Sequence, residues 1–495
     1  MKSVLIIIYF SLISSSFSFL SAEQNRPNIL WLVVEDQSKH YGFNGEGLVH
    51  TPVLDGLAKN GVRFTNASVT APVCSTARSA LITGMYQTSI GAHHHRSGRG
   101  DLKIQKPEHI KLIPELFKEA GYFTCLGSSG HAAGIASGKQ KNRFGKSDYN
   151  FEWDPKVFDA PEWSDRKQGQ PFFAKICLSG GKARSQARSS KGIPHVNSAD
   201  VKLPPYYPNH PVVLEDWAAY LDTFNLMDLQ VGQIIDRLKK EGEFENTVIF
   251  FITDHGVSHA RGKQFCYDEG MMIPFFVHAP GRVKAGSVRK DPVLHIDVAA
   301  TSLYFAGIEV PKYMEAQSLF GSNAVKRKFA VSARDRCDET YDRIRAVRTS
   351  RYKYIRNGYP NRPHLQPCAY KDNKDTYLAI REWGEKGKLT NLQKELLLSP
   401  ARTKEELYDL SNDPWELENL ADSPNHLKAL QKMRKTLDLW IKETGDHGQK
   451  VEPMKMYDSD MKIYIGGQAI KGRKERADEI QGNVILMKKW WKEGK

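Results

Sequence analysis

The stretch APVCSTARSALITGMY, residues 71–86, puts Cys74 directly before a run of small and apolar residues that closes at Gly84. That run predicts a helix ended by its glycine. A residue at the helix start faces free backbone N–H groups and the positive end of the peptide dipoles, which favour an anion. Arg78, four residues on, falls on the same face. Elsewhere two apolar runs lead into acids: NILWLVV into Glu35-Asp36, and TVIFFIT into Asp254-His255-Gly256. Taken singly, each also reads as ordinary strand-end carboxylates in water. Brought together, three carboxylates repel one another unless a cation compensates them. A mostly oxygen donor set favours Ca²⁺ or Mg²⁺ over Zn²⁺. A nucleophile, an arginine and such a cation together suit a tetrahedral oxyanion ester. For Cys74 the other readings are a small core residue and half of a disulfide.

These residues need a scaffold, and the apolar pattern supplies one. Continuous Val/Ile/Phe/Leu runs recur at 28–36, 122–127, 171–178, 247–256 and 273–281, and such runs predict strands buried on both faces. Between them lie helical patterns. HIKLIPELFKEAG sets Ile110, Ile113, Leu116, Phe117 and Ala120 on one face, and 214–242 sets Trp217, Leu221, Phe224, Ile234, Ile235 and Leu238. Alternating strands and helices predict an α/β fold with a large, mostly parallel sheet sandwiched by helices. In such a sheet, ligands bind beyond the carboxyl ends of the strands, where both acidic pairs lie. After about residue 330 the texture changes to an arginine-rich, hairpin-like stretch, RDRCDETYDRIRAVRTSRYKYIRN. The chain therefore divides into a segment 1–22, a catalytic α/β domain 23–330, a smaller C-terminal α+β subdomain 331–445, and a basic tail 446–495. The tail is either packed or a mobile arm.

Residues 1–22 have Lys2, an apolar centre and a small residue at Ala22, the pattern of a signal peptide removed on export. The apolar centre is too short for a bilayer span of about 20 residues. A periplasmic or secreted protein without stable membrane insertion is expected. The formal charge is +14, which suggests an anionic partner. No nucleic-acid module accompanies it, so an acidic polymer outside the cytoplasm fits better. Six cysteines in 495 residues are too sparse for a disulfide scaffold. Cys125 and Cys177 sit in apolar runs as small core residues.

CSTARSALITG resembles the signature of the type I, formylglycine-dependent sulfatases of the alkaline-phosphatase-like superfamily. The other landmarks follow in that family's order: Glu35-Asp36, Lys146 in GKSDYN, DHG at 254–256 with His259 and Lys263 beyond it, and ELYDLSNDPWELENLA. The resemblance covers about residues 26–445 and is nearest to the branch of heparan N-sulfatase-like and bacterial polysaccharide sulfatases. It implies that a sulfatase-maturation enzyme converts Cys74 to formylglycine (3-oxoalanine), whose hydrate is the nucleophile. It implies a Ca²⁺ ion held by Glu35, Asp36, Asp254, His255 and residue 74. Arg78 would stabilise the aldehyde hydrate, Lys146 the sulfate, and Lys263 a sulfate or leaving oxygen, with His259 beside them. The implied reaction is hydrolysis of sulfate esters or N-sulfates of a sulfated carbohydrate.

Three positions depart from the family pattern. Thr76 stands where Pro or Ala is usual. The usual Lys-x-His is Lys146-Ser147-Asp148, so Asp148 or His131 takes the place of that histidine. A substrate-side histidine after the strand at 171–178 is replaced by Lys182 or by His195. The triplet His93-His94-His95 lines the pocket, and Arg334, Asp335 and Arg336 reach an anionic sugar or form salt bridges on a solvated hairpin. Two other readings stand beside the sulfatase: a phosphoester or phosphonate hydrolase on the same fold, and an unmatured protein that binds sulfated glycans without cleaving them.

Overall fold

Because both faces of its central strands are covered, the apolar runs form one sheet rather than a one-sided layer. The computed structural model describes residues 26–322 and 324–495. The expected signal segment 1–22 lies outside them. In chain order the first strands are β1 (Asn28–Val34), β2 (Val62–Phe64), β3 (Ala67–Ser68), β4 (Phe123–Ser128), β5 (Phe172–Leu178), β6 (Thr247–Thr253), β7 (Phe275–His278), β8 (Ser287–Arg289) and β9 (Val293–Leu294). Seven of these build a sheet in the order β4-β5-β1-β6-β7-β2-β8, while β3 and β9 pair separately. β4, β5, β1 and β6 run parallel, and β7 is antiparallel to both its neighbours. The sheet is thus large and mostly parallel, as the sequence predicts.

Alternate residues of β1 enter different cores. Ile29, Trp31 and Val33 pack on one side of the sheet with Phe117, Phe173 and Phe250. Leu30, Leu32 and Val34 pack on the other with Trp217, Leu221, Phe224 and Phe251. The long helix Pro211–Lys240 covers the second face, opened by a proline in its first turn, where a missing N–H costs nothing. On the first face the helix at 110–120 begins only at Ile113, with Pro114 in its first turn. Ile110 is buried all the same. All six cysteines are free and buried, so the disulfide reading of Cys74 is set aside.

Beyond residue 330 the strands β10 (Ala330–Arg334), β11 (Ile344–Arg348), β12 (Tyr352–Asn357) and β13 (Glu405–Asp409) form a four-stranded antiparallel sheet. Ala330, Val331, Val347, Tyr354 and Leu407 share one apolar cluster with Ile29 and Trp31. Residue 330 marks a change of sheet and not a break in the core. The start of the arginine-rich stretch forms the expected salt bridges, but in a buried interior and not on a solvated hairpin, and this burial corrects the expectation that Arg334, Asp335 and Arg336 reach a sugar. Arg334 is buried on Asp342 at 2.8 Å, Asp335 on Arg345 at 3.1 Å, and Arg336 on Glu452 and Asp460, each at 2.7 Å. The last two acids belong to the tail, which is packed. Its helices Met454–Ile470 and Lys474–Lys492 bury Tyr457, Met461, Ile480, Val484 and Met487 with Tyr341.

Candidate functional site

Strands β1 and β6 are parallel neighbours, so their acidic ends emerge side by side. The Asp254 N–H donates to the Val34 carbonyl at 2.8 Å, and the Asp36 N–H donates to the Asp254 carboxylate at 3.1 Å. Asp36 has φ 54°, a left-handed conformation that strains a side-chain-bearing residue. The segment after β5 presses against this bend. Gly181 donates to the Glu35 carbonyl at 2.8 Å, and a Cβ at Gly181 would stand 2.2 Å from the Asp36 carbonyl oxygen. Only glycine permits that approach, and it carries Lys182 into the site.

The predicted helix spans Cys74–Thr83, with extended Val73 before it and Gly84 closing it at φ 67° through an N–H donated to Ala80. Cys74 is its first residue, at the dipole's positive end. The whole helix is buried despite its polar residues, and each of these finds a partner. Ser75 Oγ lies 2.7 Å from His95 Nδ1, Ser79 Oγ accepts the Asn150 N–H at 2.9 Å, and the Thr76 hydroxyl donates to the Val73 carbonyl at 2.9 Å.

Ligand atoms of Asp36, Cys74, Asp254 and His255 all lie within 4.8 Å of one another. His255 Nε2 is 3.2 Å from Cys74 Sγ, 3.2 Å from Asp36 and 3.5 Å from Asp254. His255 Nδ1 donates to the Gly256 carbonyl at 2.8 Å. That bond keeps the proton on Nδ1 and turns Nε2 toward the two carboxylates, the orientation a metal-binding histidine uses. Glu35, expected among the ligands, is outside this group. Its carboxylate is taken by Arg78 at 3.1 Å, Lys146 at 3.0 Å, and Lys182.

Fixed cations ring the group. Arg78, fully buried, lies 3.0 Å from Asp254 and 3.6 Å from Asp148, and its Nη1 donates to Cys177 Sγ at 3.3 Å. Lys182 Nζ stands 3.7 Å from both Asp36 and Cys74 Sγ. Lys263 Nζ is 3.2 Å from Asp36, 3.1 Å from Cys74 Sγ and 3.4 Å from the Tyr370 hydroxyl. Burial opposes ionisation of the Cys74 thiol, but Lys182, Lys263 and Lys146 outweigh it and bring its pKa down to about 6. Burial likewise works against the Lys182 and Lys263 ammonium groups, yet Asp36 and Cys74 hold both ionised well above the usual lysine range.

The donor set fits a hard cation once residue 74 offers oxygen instead of sulfur: two carboxylates, one imidazole and that oxygen, at the end of a sheet. Four carboxylates (Glu35, Asp36, Asp148, Asp254) face four cations (Arg78, Lys146, Lys182, Lys263). The protein charges balance, so a dication leaves the site net positive and ready for an anionic ester.

Of the other expected residues, Asp148 joins the group through Arg78 and through Lys146 at 3.5 Å. His259 lies further out, with Nε2 2.7 Å from Asp216 and 3.1 Å from Arg184, its ring stacked 4.9 Å from Trp217. It makes no hydrogen bond to Cys74 or Asp36. His195 binds Asp222 and the Ser190 carbonyl, both at 3.0 Å. His131 binds Ser128 at 2.7 Å and the Gln140 carbonyl at 2.8 Å. Of the residues expected in place of the two missing histidines, Asp148 and Lys182 contact the central group, whereas His131 and His195 are bonded elsewhere. The triplet 93–95 is structural: buried His94 accepts the Arg336 N–H at 3.2 Å and His95 holds Ser75. Burial drives the pKa of His93 down to about 3 and those of His94 and His95 well below the usual value. Two contributors went unread in the sequence. Tyr370 lies in CAYKDNKD, which carries no periodicity or motif, and Cys177 was read as core alone.

A family model described as Sulfatase matches residues 27–308, and one described as N-sulphoglucosamine sulphohydrolase, C-terminal, matches residues 255–363. An ulvan-active sulfatase of Formosa agariphila is 32% identical over 468 residues, covering 85% of this chain and 76% of that protein. Human N-sulphoglucosamine sulphohydrolase is 24% identical over 477 residues, covering 85% of this chain and 91% of its own. A protein solved in complex with its substrate D-glucosamine-2-N,6-O-disulfate superposes with a TM-score of 0.60 at 16% identity, over 86% of this chain and all of that one (100%).

Proposed function

The chain belongs to the sulfatase family and is a sulfuric ester hydrolase, and from that premise we propose that it removes sulfate from esters or N-sulfates of a sulfated polysaccharide or oligosaccharide, using formylglycine made from Cys74. One observation carries this reading: Cys74 begins a buried helix inside the Asp36–Asp254–His255 group, with Lys182 and Lys263 against its sulfur. A thiol there is positioned as a precursor and not as packing. Similarity to an ulvan-active sulfatase and to N-sulphoglucosamine sulphohydrolase supports a sulfated carbohydrate as substrate.

Asp36, Asp254 and His255 would hold Ca²⁺ together with an oxygen of the converted residue 74, and Glu35 could join by releasing one lysine. The ion supplies Lewis-acid polarisation of a sulfate oxygen. The hydrated aldehyde supplies a hydroxyl nucleophile, and its second hydroxyl allows sulfate to leave by C–O cleavage. Arg78 orients the hydrate through a guanidinium already fixed on Asp254 and Glu35. Lys182 and Lys263 clamp the sulfate oxygens and offset charge that develops on them. Lys263, beside the Tyr370 hydroxyl, also stands where the leaving oxygen gains charge. His259 is held on Asp216 and Arg184, outside the group around Cys74. Its link to Asp216 supports a wall of the site.

The test is the mass of the tryptic peptide holding residue 74, together with sulfate release from an aryl sulfate. Conversion of thiol to aldehyde lowers the peptide mass by about 18 Da. An unconverted thiol in protein that still releases sulfate would sink the formylglycine mechanism. Faster turnover of an aryl phosphate than of the sulfate would favour the phosphoester reading. Export through residues 1–22 is part of the same proposal. Among the described residues, no helix is long and apolar enough to cross a membrane.

A further inference from the structure

A cavity of about 740 Å³ opens beside Lys146 and Asp148, so one of its walls belongs to the reaction centre. Its outer wall carries Arg99, Arg143, His131 and Phe144. Asp148 is already paired with Arg78 and Lys146. Arg99 and Arg143 are exposed and form no ion pair among the described residues. Arg99 makes only a long contact, 3.4 Å, to the Asp148 carbonyl. Phe144 presents 36% of its surface to solvent. Two unneutralised guanidinium groups and an exposed aromatic ring, next to a site for one anionic group, are what a second anionic sugar would need. The guanidinium fork matches a carboxylate or sulfate, and the ring matches a sugar face.

The loop that carries Arg99 is held in place. The Gly98, Arg99 and Gly100 N–H groups all donate to the Asp460 carboxylate, at 3.3, 3.0 and 3.3 Å. Ser459 Oγ accepts the Leu102 N–H at 2.9 Å. Both residues belong to the C-terminal helix Met454–Ile470. Arg99 is therefore offered to the cavity from a backbone clamp and not from a free loop.

We propose that this cavity is a subsite for the saccharide unit next to the one that loses sulfate, with Arg99 and Arg143 binding a second anionic group on that unit, a carboxylate or a sulfate. The proposal deepens the sulfatase reading and rests on it. It makes the substrate a polyanion and not a singly sulfated sugar.

The test measures inhibition of aryl sulfate hydrolysis by heparin, by carboxyl-reduced heparin and by O-desulfated heparin. The matured full-length protein is compared with Arg99→Gln, Arg143→Gln, the double variant and Arg99→Lys. Lys284→Gln, at an exposed lysine outside the cavity lining, controls for net charge. Heparin is expected to compete with the aryl sulfate, with an inhibition constant raised about tenfold in the double variant, partly restored by Arg99→Lys, and unchanged in the control. The derivative that loses potency against the wild type identifies the group the arginines hold. Inhibition constants equal in wild type and double variant, a matching shift in the control, or no inhibition of the wild type would each overturn the subsite. No aryl sulfate turnover by matured wild type would count against the sulfatase reading itself, and the subsite would fall with it.

Discussion

Arg78 ties three carboxylates together, so its removal does more than delete a contact. Its side chain is fully buried against Asp254, Glu35 and Asp148. Leaving buried charges unpaired costs about 3–5 kcal/mol, against a stability of about 5–15 kcal/mol for a typical domain. Arg78→Met is expected to lose sulfate release altogether and to lower Tm by several degrees. Arg78→Lys restores one charge but cannot span three acids, so it should recover part of the Tm and little of the activity. Thermal unfolding read beside turnover separates the two, and an Arg78→Met protein with wild-type Tm would contradict the network. The metal reading has its own signature. A ligand present at a hundred times its Kd stabilises the folded state by about 2.7 kcal/mol. Ca²⁺ added to chelator-treated protein should raise Tm, Asp36→Asn should abolish the rise, and an equal rise in that variant would place the ion elsewhere.

The hairpin of β10 and β11 is held by ion pairs in a dry interior, and that has a pH consequence. Burial raises the pKa of Asp335 to about 7 despite Arg345, and burial with Asp338 raises that of Glu339 to about 7. Both folded pKa values lie above those of the unfolded chain, so the folded state binds the extra protons. Their contribution is complete below the unfolded values near 4 and is lost as pH rises through 7, by at most about 1.4 kcal/mol per pH unit for each group. Asp335→Asn should flatten the fall in Tm between pH 4 and 7, and an unchanged slope would remove Asp335 from the explanation. This element also marks where the sequence stops being legible. The strand ends Glu35-Asp36 and Asp254-His255 could be read because apolar runs fix both their depth and their edge of the sheet. The helix at Cys74 could be read because its glycine closes it. The destination of Arg334 or Arg336 could not, since a charged residue in a hairpin pattern carries no sign of whether a later segment will cover it. Tyr370 and the split between Glu35 and the other acids depend on the same long-range packing.

At the scale of the whole molecule the question is whether the last 50 residues are an appendage. Basic composition and the terminal KKWWKEGK permit a mobile arm, but the contacts argue otherwise. Glu452 and Asp460 neutralise Arg336, which is fully buried on the second sheet. Ile480, Val484 and Met487 close over Tyr341 and Tyr457. Asp460 also clamps the loop at 98–100 beside the reaction centre. One segment thus joins the second sheet to the rim of the site, which lies beyond the first sheet. Ending the chain at Gly445 would strand Arg336 without a counter-charge, at about 3–5 kcal/mol. It would also uncover several large apolar side chains, each worth about 1.5–3 kcal/mol when buried. Together these approach the whole stability of a domain. The shortened chain is expected to be insoluble, or to unfold at least 10 °C below the full-length protein. A milder change separates packing from charge: Ile480→Ala should cost about 2–5 kcal/mol while leaving Arg336 paired. A shortened chain with full-length Tm and full turnover would make the tail a passenger. It would also break the physical link between the C-terminal helices and Arg99.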